Sequence, residues 1–548
     1  MRVKIFSTIE KYFFLIVTIL NLIPVLSGKF FTTLDGAAHL YNSNLINILL
    51  FENNIDLQNF FVLNHEPVPN WTGHFILSFF NYFFPAFIAE KILVLLYLIG
   101  LPYSFRRLIK TISPDNYLLS YFIFPFSYSL FFFLGFYNFS IALIIFFITL
   151  NYWIKNEENH QSKKKIFILS SLIVFTYFSH VFVFVLLIFL LGFRILIKIF
   201  IELLQNVNKV KKIITGLLKR FSVLLISSLI PLILCCYYFI SRPTFQYNEY
   251  VSNKELIESI INLRPIIALD FSKEVVFSKI LFYVITSLFI IAVYNKIGLL
   301  KCQGDINFKT KILTVFRRII TVSDYWLFSA IFILFLYFTV PDYDGSAGFI
   351  TLRLGLFFFL LLIIWLTTQQ FSQWLSILAV VVVLYCNFKL DMYYSSSVKE
   401  LNKIVAEVSK VSEYILPNSI VLPLNYSDNW LVKHFSNYLG ADKPMIILEN
   451  YECSKDYFPV KWNEKRIPNL LLGSEDYNTY PCIQWMANSN NPSKTIDYVF
   501  ILGNIYIKSD TCCEAFEQNI SNNYILIFKT DNCKLYRIKP ISGLVDKS

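Results

Sequence analysis

Long apolar segments dominate this chain and restrict it to a polytopic membrane fold. Eleven segments, some of them short, fit the requirement of about 20 apolar residues for a helix that crosses a bilayer. They lie near residues 12–27, 88–105, 117–135, 138–154, 166–179, 181–200, 221–240, 277–295, 324–340, 349–367 and 373–390. Only 16% of the residues are charged, against about a quarter in soluble proteins, and the mean hydropathy is +0.56. The sequence therefore predicts a polytopic α-helical membrane protein.

Two stretches of the apolar sequence need separate interpretation. The run 166–200 is too long for one helix, and Ser179 and His180 interrupt it. We expect two helices there, joined by a tight outer turn at His180. The stretch 74–84 is closed by Pro85 and is too short to cross a bilayer, so it predicts an interfacial helix.

The distribution of basic residues predicts the orientation of the chain. The net charge of +11 is concentrated in alternate loops, as the positive-inside rule requires for a cytoplasmic N-terminus. The excess of basic residues therefore indicates the orientation of the chain in the membrane, and no nucleic-acid partner is expected. The first outer loop is then residues 28–73. Alternatively, the first span is a cleaved signal peptide, which would still leave residue 35 outside.

The composition changes near residue 391, where apolar runs shorten and polar residues become frequent. Short apolar segments at 420–424, 445–448, 498–502, 524–529 and 534–538 predict strands, with helical stretches between some of them. We therefore expect a transmembrane domain over 1–390 and an extracytoplasmic α/β domain over 391–548. With eleven spans, the termini lie on opposite sides of the membrane.

The first outer loop carries the main candidates for chemistry. Asp35 and His39 are four residues apart, so a helix would present both on one face. Apolar spacing over 37–50 predicts a helix along the surface with Asp35 at its N-cap. Asp35 is then either a simple cap or a general base, with His39 orienting it or contacting a phosphate. A divalent metal held by Asp35, His39, His65 and Glu66 is a further possibility, although the spacing is not diagnostic.

Other candidates lie on the predicted outer side. Arg353 begins a span just after Gly345 and Gly348, and it fits either a lipid headgroup or a substrate phosphate. The remaining histidines there are His74, His180 and His434, and we interpret His434 as an ordinary residue of the C-terminal domain. The candidates for binding substrate or phosphate are Arg353, His180, His65, Glu66, His74 and Arg264.

The layout resembles that of the GT-C superfamily of integral-membrane glycosyltransferases. The shared features are one span, a long outer loop with an acidic residue at its start, a surface helix, many further spans and an outer C-terminal domain. Residues Leu34-Asp35-Gly36-Ala37-Ala38-His39 are similar to the Asp-x-x-x-His version found in uncharacterised bacterial members. Gly36 replaces the second acidic residue that several characterised members have there.

The resemblance implies a location and a reaction. The protein would lie in the bacterial cytoplasmic (inner) membrane, among membrane lipids, and take a sugar from a polyprenyl-phosphate donor. Asp35 would be the catalytic base or a ligand, and Arg353 would bind the carrier phosphate. The acceptor would be a cell-envelope glycan, lipid or protein, attacked with inversion at the outer face. No cofactor is certain, and a divalent metal is possible.

Two alternatives stay open. One is a non-enzymatic protein for surface-glycan export or assembly, such as a transporter or flippase, although the chain shows no matching pair of broken spans. The other is a polysaccharide polymerase or ligase. The sequence contains no P-loop, GxGxxG, HExxH or GxSxG motif, so nucleotide chemistry on the inner side is unsupported.

Overall fold

The computed structural model describes residues 2–157, 162–205, 210–241, 248–301, 321–345, 347–463, 496–503 and 511–540. The N-terminal half contains α1 (Arg2–Leu20), α2 (Ile23–Leu26), α3 (Gly36–Phe51), α4 (Ile55–Phe60), α5 (Thr72–Phe83), α6 (Ala86–Ile112), α7 (Phe124–Ser127), α8 (Leu130–Phe133), α9 (Tyr137–Asn156), α10 (Lys163–Ser179), α11 (Val181–Gln205), α12 (Val210–Ile240) and α13 (Asn253–Ile261). It is followed by α14 (Phe271–Lys301), α15 (Tyr325–Thr339), α16 (Ile350–Thr367), α17 (Gln373–Ser412) and α18 (Thr511–Asn523). The strands are β1 (Phe61–Leu63), β2 (Ile420–Asn425), β3 (Ile446–Ile447), β4 (Val460–Trp462), β5 (Tyr498–Leu502), β6 (Tyr524–Lys529) and β7 (Cys533–Ile538).

Eight helices within the described residues are long and apolar enough to cross a membrane. They are α6, α9, α11, α12, α14, α15 with its preceding turn, α16 and α17. The prediction of a polytopic helical membrane protein is therefore confirmed at this level. The break predicted at His180 is confirmed too, because α10 ends at Ser179 and α11 begins at Val181.

Three of the predicted spans take another form. Residues 12–27 are divided between α1 and α2, and α10 has only 17 residues. The segment 117–135 was expected as one helix, but it consists of the 3-10 turn Tyr117–Ile123 followed by the short helices α7 and α8. Pro125, which lacks a backbone N–H, lies in this interrupted stretch.

The chain forms two compact units. The helical unit comprises Met1–Ile23, Leu96–Phe132 and Phe139–Tyr394, and the α/β unit comprises Pro24–Leu95, Phe133–Asn138 and Ser395–Ser548. Residues of the predicted first outer loop thus belong to the same compact unit as the C-terminal residues. The domain division expected at residue 391 had grouped that loop with the membrane spans.

The α/β unit is organised around a five-stranded sheet with the strand order β3-β2-β5-β7-β6. Strand β2 is parallel to β3 and β5, whereas β7 is antiparallel to β5 and β6. Strands occur in all five segments where the sequence predicts them. A separate two-stranded ladder pairs β1 with β4, and Phe61 stacks on Trp462 with ring centroids 4.7 Å apart. The first loop is therefore hydrogen-bonded directly to the C-terminal part of the chain.

Helix α3 is buried along most of its length, so the prediction of a surface helix is wrong. The Tyr41 hydroxyl donates to the Met445 carbonyl at 2.6 Å, and Asn47 donates to the Ser78 carbonyl on α5 at 3.0 Å. These contacts occupy two sides of α3. Helix α5 matches the predicted stretch 74–84, and it keeps an exposed aromatic face that includes Phe79 and Phe83.

Candidate functional site

Asp35 stands at the N-cap position of α3 without acting as a cap. Its backbone is helical (φ −91°, ψ −7°), and its side chain makes no capping hydrogen bond. Thr33 Oγ1 accepts the Gly36 N–H at 3.1 Å instead. Only 8% of Asp35 is exposed. A buried carboxylate is costly unless other groups compensate it, so the simple-cap interpretation does not explain this residue.

The Asp35 carboxyl faces a histidine and a tyrosine from the C-terminal sequence. His434 Nε2 lies 3.7 Å from Asp35 Oδ1, and the nearby Tyr451 side chain acts to lower the pKa of the carboxyl group. Tyr451 also lies against the imidazole of His434, with ring centroids 4.5 Å apart. The interpretation of His434 as an ordinary domain residue is therefore corrected, since it contacts the main catalytic candidate.

A second carboxylate orients His434 from its other side. His434 Nδ1 is in hydrogen-bonding contact with Glu449, which follows β3 at the carboxyl end of a parallel pair. Glu449 also accepts a hydrogen bond from Ser436 Oγ at 2.8 Å and another from the Asn437 amide. We refer to Asp35, His434 and Glu449 as the proton chain, because they form a buried acid–imidazole–acid series.

Burial and neighbouring charges shift the pKa values of Asp35 and His434. Burial raises the pKa of Asp35 above its ordinary 3.8, and the nearby His434 and His39 limit the rise. Burial acts to lower the pKa of His434, but the negative charges of Glu449 and Asp35 outweigh it and raise that pKa above 6.5. Asp35 is thus a stronger base than an exposed aspartate, and it lies beside an imidazole whose own pKa is raised.

Three further side chains converge next to the proton chain, one helical turn along α3. His39 Nδ1 lies 2.6 Å from Glu452 Oε1, His74 Nε2 lies 2.8 Å from Glu452 Oε2, and the two nitrogens are 3.1 Å apart. All three residues are buried, and Glu452 is 0% exposed. We refer to His39, His74 and Glu452 as the His-His-Glu cluster.

Each member of the His-His-Glu cluster has an outer partner. His39 Nε2 is 2.9 Å from the Gly135 carbonyl, and His74 Nδ1 is 3.2 Å from the Asn70 carbonyl. Asn42 Nδ2 donates to Glu452 Oε2 at 2.9 Å. Gly135 has φ +80°, and a Cβ there would meet the backbone N–H groups of residues 35 and 36, so glycine is required for this approach.

The pKa values of the three residues in the His-His-Glu cluster are shifted in different directions. Burial acts to raise the pKa of Glu452, but His39 and His74 outweigh it and lower the pKa to about 2. Burial acts to lower the pKa of His39, whereas the charge of Glu452 raises it above 6.5. Burial lowers the pKa of His74, and Glu452 does not reverse that shift.

Gly36 makes room for a buried carboxyl group. The Tyr137 hydroxyl hydrogen-bonds Thr33 Oγ1 at 3.0 Å and donates to Glu90 Oε1 at 2.7 Å. A Cβ at residue 36 would collide with Glu90 Oε1, Thr33 Oγ1 and the Tyr137 hydroxyl. The absence of a second acidic residue after Asp35 therefore has a steric reason, because the Glu90 carboxyl occupies that space.

The remaining predicted site residues lie elsewhere. His65 and Glu66 are exposed and outside both groups, and Glu66 lies 3.9 Å from Lys461. Arg353, His180 and Arg264 belong to the helical unit. The guanidinium of Arg353 lies over the Phe131 and Phe139 rings, 5.8 and 5.9 Å from their centroids.

The remaining two helical-unit candidates have different surroundings. His180 packs edge-on against Phe139, with ring centroids 5.2 Å apart, and its Nδ1 makes no hydrogen bond within the described residues. Arg264 donates to the Ile267 carbonyl at 2.6 Å, which stabilises its own turn. His180 is thus a buried polar group in the helical unit, while Arg264 has a local structural role.

Comparison of the sequence with protein-family models and with curated proteins finds no match. The structural arrangement of the side chains is therefore the main support for any functional assignment.

Sequence reasoning missed Glu449 and Glu452, and it named His434 only as an ordinary residue of the C-terminal domain. Glu449 and Glu452 flank Asn450-Tyr451 directly after the apolar segment 445–448. Polar residues at the carboxyl end of a parallel strand are a recognised position for functional groups, and that was the available signal.

Proposed function

We propose that the protein is a membrane glycosyltransferase that moves a sugar from a polyprenyl-phosphate donor to an acceptor hydroxyl at the outer face of the bacterial cytoplasmic membrane. The acceptor is a cell-envelope glycan, lipid or protein. The observation that carries the proposal is the buried, non-capping carboxyl group of Asp35 in contact with the His434–Glu449 pair. The membrane-spanning helices and the positive-inside charge pattern support a lipid-linked substrate at that face.

Asp35 acts as general base in this proposal. Its carboxylate removes the proton from the acceptor hydroxyl while that oxygen attacks the anomeric carbon. The bond between the anomeric carbon and the phosphate oxygen breaks, and polyprenyl phosphate leaves with the electron pair. Attack from the face opposite the leaving group inverts the configuration at the anomeric carbon.

His434 is a positioning residue in this reaction. Its protonated imidazole stabilises the ionised form of Asp35, and Glu449 keeps the imidazole oriented and charged. Arg353 is proposed to bind the phosphate, because a guanidinium group matches the geometry of phosphate oxygens.

The direct test is transfer by purified protein in lipid nanodiscs with a panel of polyprenyl-phosphate sugars and glycan, lipid and peptide acceptors. Released polyprenyl phosphate and glycosylated acceptor are both measured. Asp35→Asn should lower the rate by a factor of about 10² to 10⁴, which is the usual contribution of general base catalysis. Asp56→Asn is the matched control, because Asp56 is an exposed aspartate of the same loop.

Two results would overturn the proposal. Asp35→Asn with unchanged transfer would exclude the base assignment. A wild-type protein that moves lipid-linked glycan across the bilayer without releasing polyprenyl phosphate would instead favour the export alternative.

A further inference from the structure

We propose that the His-His-Glu cluster binds a divalent transition-metal ion of the Zn²⁺ type, through His39 Nδ1, His74 Nε2 and Glu452. The ligands come from α3, α5 and the 3-10 turn Tyr451–Ser454, and all three residues are buried. The site does not depend on the proposed glycosyl transfer. Two imidazoles and one carboxylate are a donor set that zinc commonly takes in proteins.

The outer hydrogen bonds orient both rings. The Gly135 carbonyl can only accept, so His39 Nε2 carries the hydrogen that faces it. His74 Nδ1 lies 3.2 Å from the Asn70 carbonyl and 3.4 Å from the Asn138 amide nitrogen, so it can donate to the first or accept from the second. The inner nitrogens, His39 Nδ1 and His74 Nε2, face each other and Glu452, and Glu452 Oε1 accepts no hydrogen bond within the described residues.

Without a metal ion, hydrogens alone hold the inner atoms together. Hydrogens on both inner nitrogens would place two N–H groups 3.1 Å apart, both facing one carboxylate. With the His74 hydrogen on Nδ1, the bare Nε2 would lie 2.8 Å from a carboxylate oxygen. A metal ion would take a lone pair from His39 Nδ1, His74 Nε2 and Glu452 at one centre.

The spacing of the ligand atoms is compatible with zinc after a small expansion. Zinc–nitrogen and zinc–oxygen bonds of about 2.0–2.1 Å at tetrahedral angles place ligand atoms about 3.3 Å apart. The observed separations are 2.6, 2.8 and 3.1 Å, so the ligand atoms must move apart by about 0.2 to 0.7 Å.

The surroundings of the cluster are those of a built metal site. Outer partners orient ligating histidines and carboxylates in most protein metal sites, and here Gly135, Asn70 and Asn42 supply them. Three protein ligands also leave a fourth position for water or a substrate oxygen.

Metal content of the full-length protein, purified without a histidine tag and dialysed against metal-free buffer, tests the site. Elemental mass spectrometry should find one transition-metal ion per chain. His74→Ala and Glu452→Gln should each lose it. The matched controls His65→Ala and Glu66→Gln should keep it, because those exposed residues lie in the same loop outside the cluster.

Cobalt provides a measurement on the wild-type chain that does not require the variants to fold. After chelation, addition of Co²⁺ should produce the intense visible absorption of low-coordinate cobalt, saturating at one equivalent, and Zn²⁺ should remove it. A folded wild type that carries no metal and gives no such spectrum would overturn the site. So would a folded His74→Ala variant that keeps its metal. Asp35→Asn should lose transfer and retain the ion, which separates failure of this site from failure of the proposed function.

Discussion

Three buried carboxylates of the helical unit and three of the α/β unit have different kinds of partner. In the helical unit, Glu10 pairs with Arg106 at 2.5 Å, Glu157 with Arg194 at 3.0 Å, and Asp324 with Lys296. In the α/β unit, Asp35, Glu449 and Glu452 face histidines. Arginine and lysine keep their charge at neutral pH, whereas histidine gains or loses a proton there.

This difference distinguishes buried carboxylates that stabilise the fold from buried carboxylates that are suited to a chemical role. A carboxylate paired with a permanent cation is neutralised at every physiological pH and needs no further partner. A carboxylate paired with histidine can take up or release a proton, or share a metal ion. The α/β unit therefore concentrates the side chains that are suited to chemistry.

The largest expected effect concerns stability in the helical unit. Arg106→Leu leaves the Glu10 carboxylate buried without its cation, which should lower the free energy of unfolding by about 3 kcal/mol. His434→Gln should lower it by about 1 kcal/mol, because Ser436 and Asn437 still donate to Glu449. Thermal and denaturant unfolding in detergent measures both. Equal losses would contradict the distinction between the units, and Glu10→Leu combined with Arg106→Leu should recover most of the stability.

The second effect concerns the pH dependence of the proposed transfer. A general base must be ionised, so on this proposal activity should fall at acidic pH as Asp35 takes up a proton. The positive charge of His434 lowers the pKa of Asp35, and glutamine carries no such charge. His434→Gln should therefore move the acidic limb of kcat/KM to higher pH by about one unit, the usual effect of one neighbouring opposite charge. An unchanged limb with a lower rate would mean that His434 acts only by packing.

The smallest effect tests which residue caps α3. Thr33→Val removes the acceptor of the Gly36 N–H and should cost about 1 kcal/mol of unfolding free energy. Asp35→Asn should change that free energy by less, since Asp35 makes no capping bond. Thermal unfolding of the two variants compares them. The reverse order would restore the interpretation of Asp35 as a cap.

The sequence predicted the spanning helices well because segment length and hydropathy are local properties. Asp35 and His39 could be selected from their position at the start of the first loop. His74 was selected as well, but its grouping with Glu452 could not be predicted, because the two residues are 378 residues apart in the chain and only the folded α/β unit brings them together. The burial of α3 was missed for the same reason, since the Met445 carbonyl that covers Tyr41 lies in the C-terminal sequence.

The position of His65 and Glu66 outside the site has a related explanation. His65 and Glu66 have suitable side chains in the predicted outer loop, but they follow β1 on a part of the chain that remains exposed. The residue types in the sequence identified possible ligands, and the structure shows which of these side chains are buried together.

Infrared difference spectroscopy of the Asp35 carboxyl group tests the central claim most directly. The C=O stretch of protonated Asp35 is isolated by subtracting the spectrum of Asp35→Asn and is followed as a function of pH. We predict a midpoint above the ordinary value of 3.8, because burial raises the pKa of this group, and a further rise in His434→Gln. A midpoint at or below 3.8 that His434→Gln does not move would show that Asp35 is not coupled to a titratable histidine, and would contradict the account.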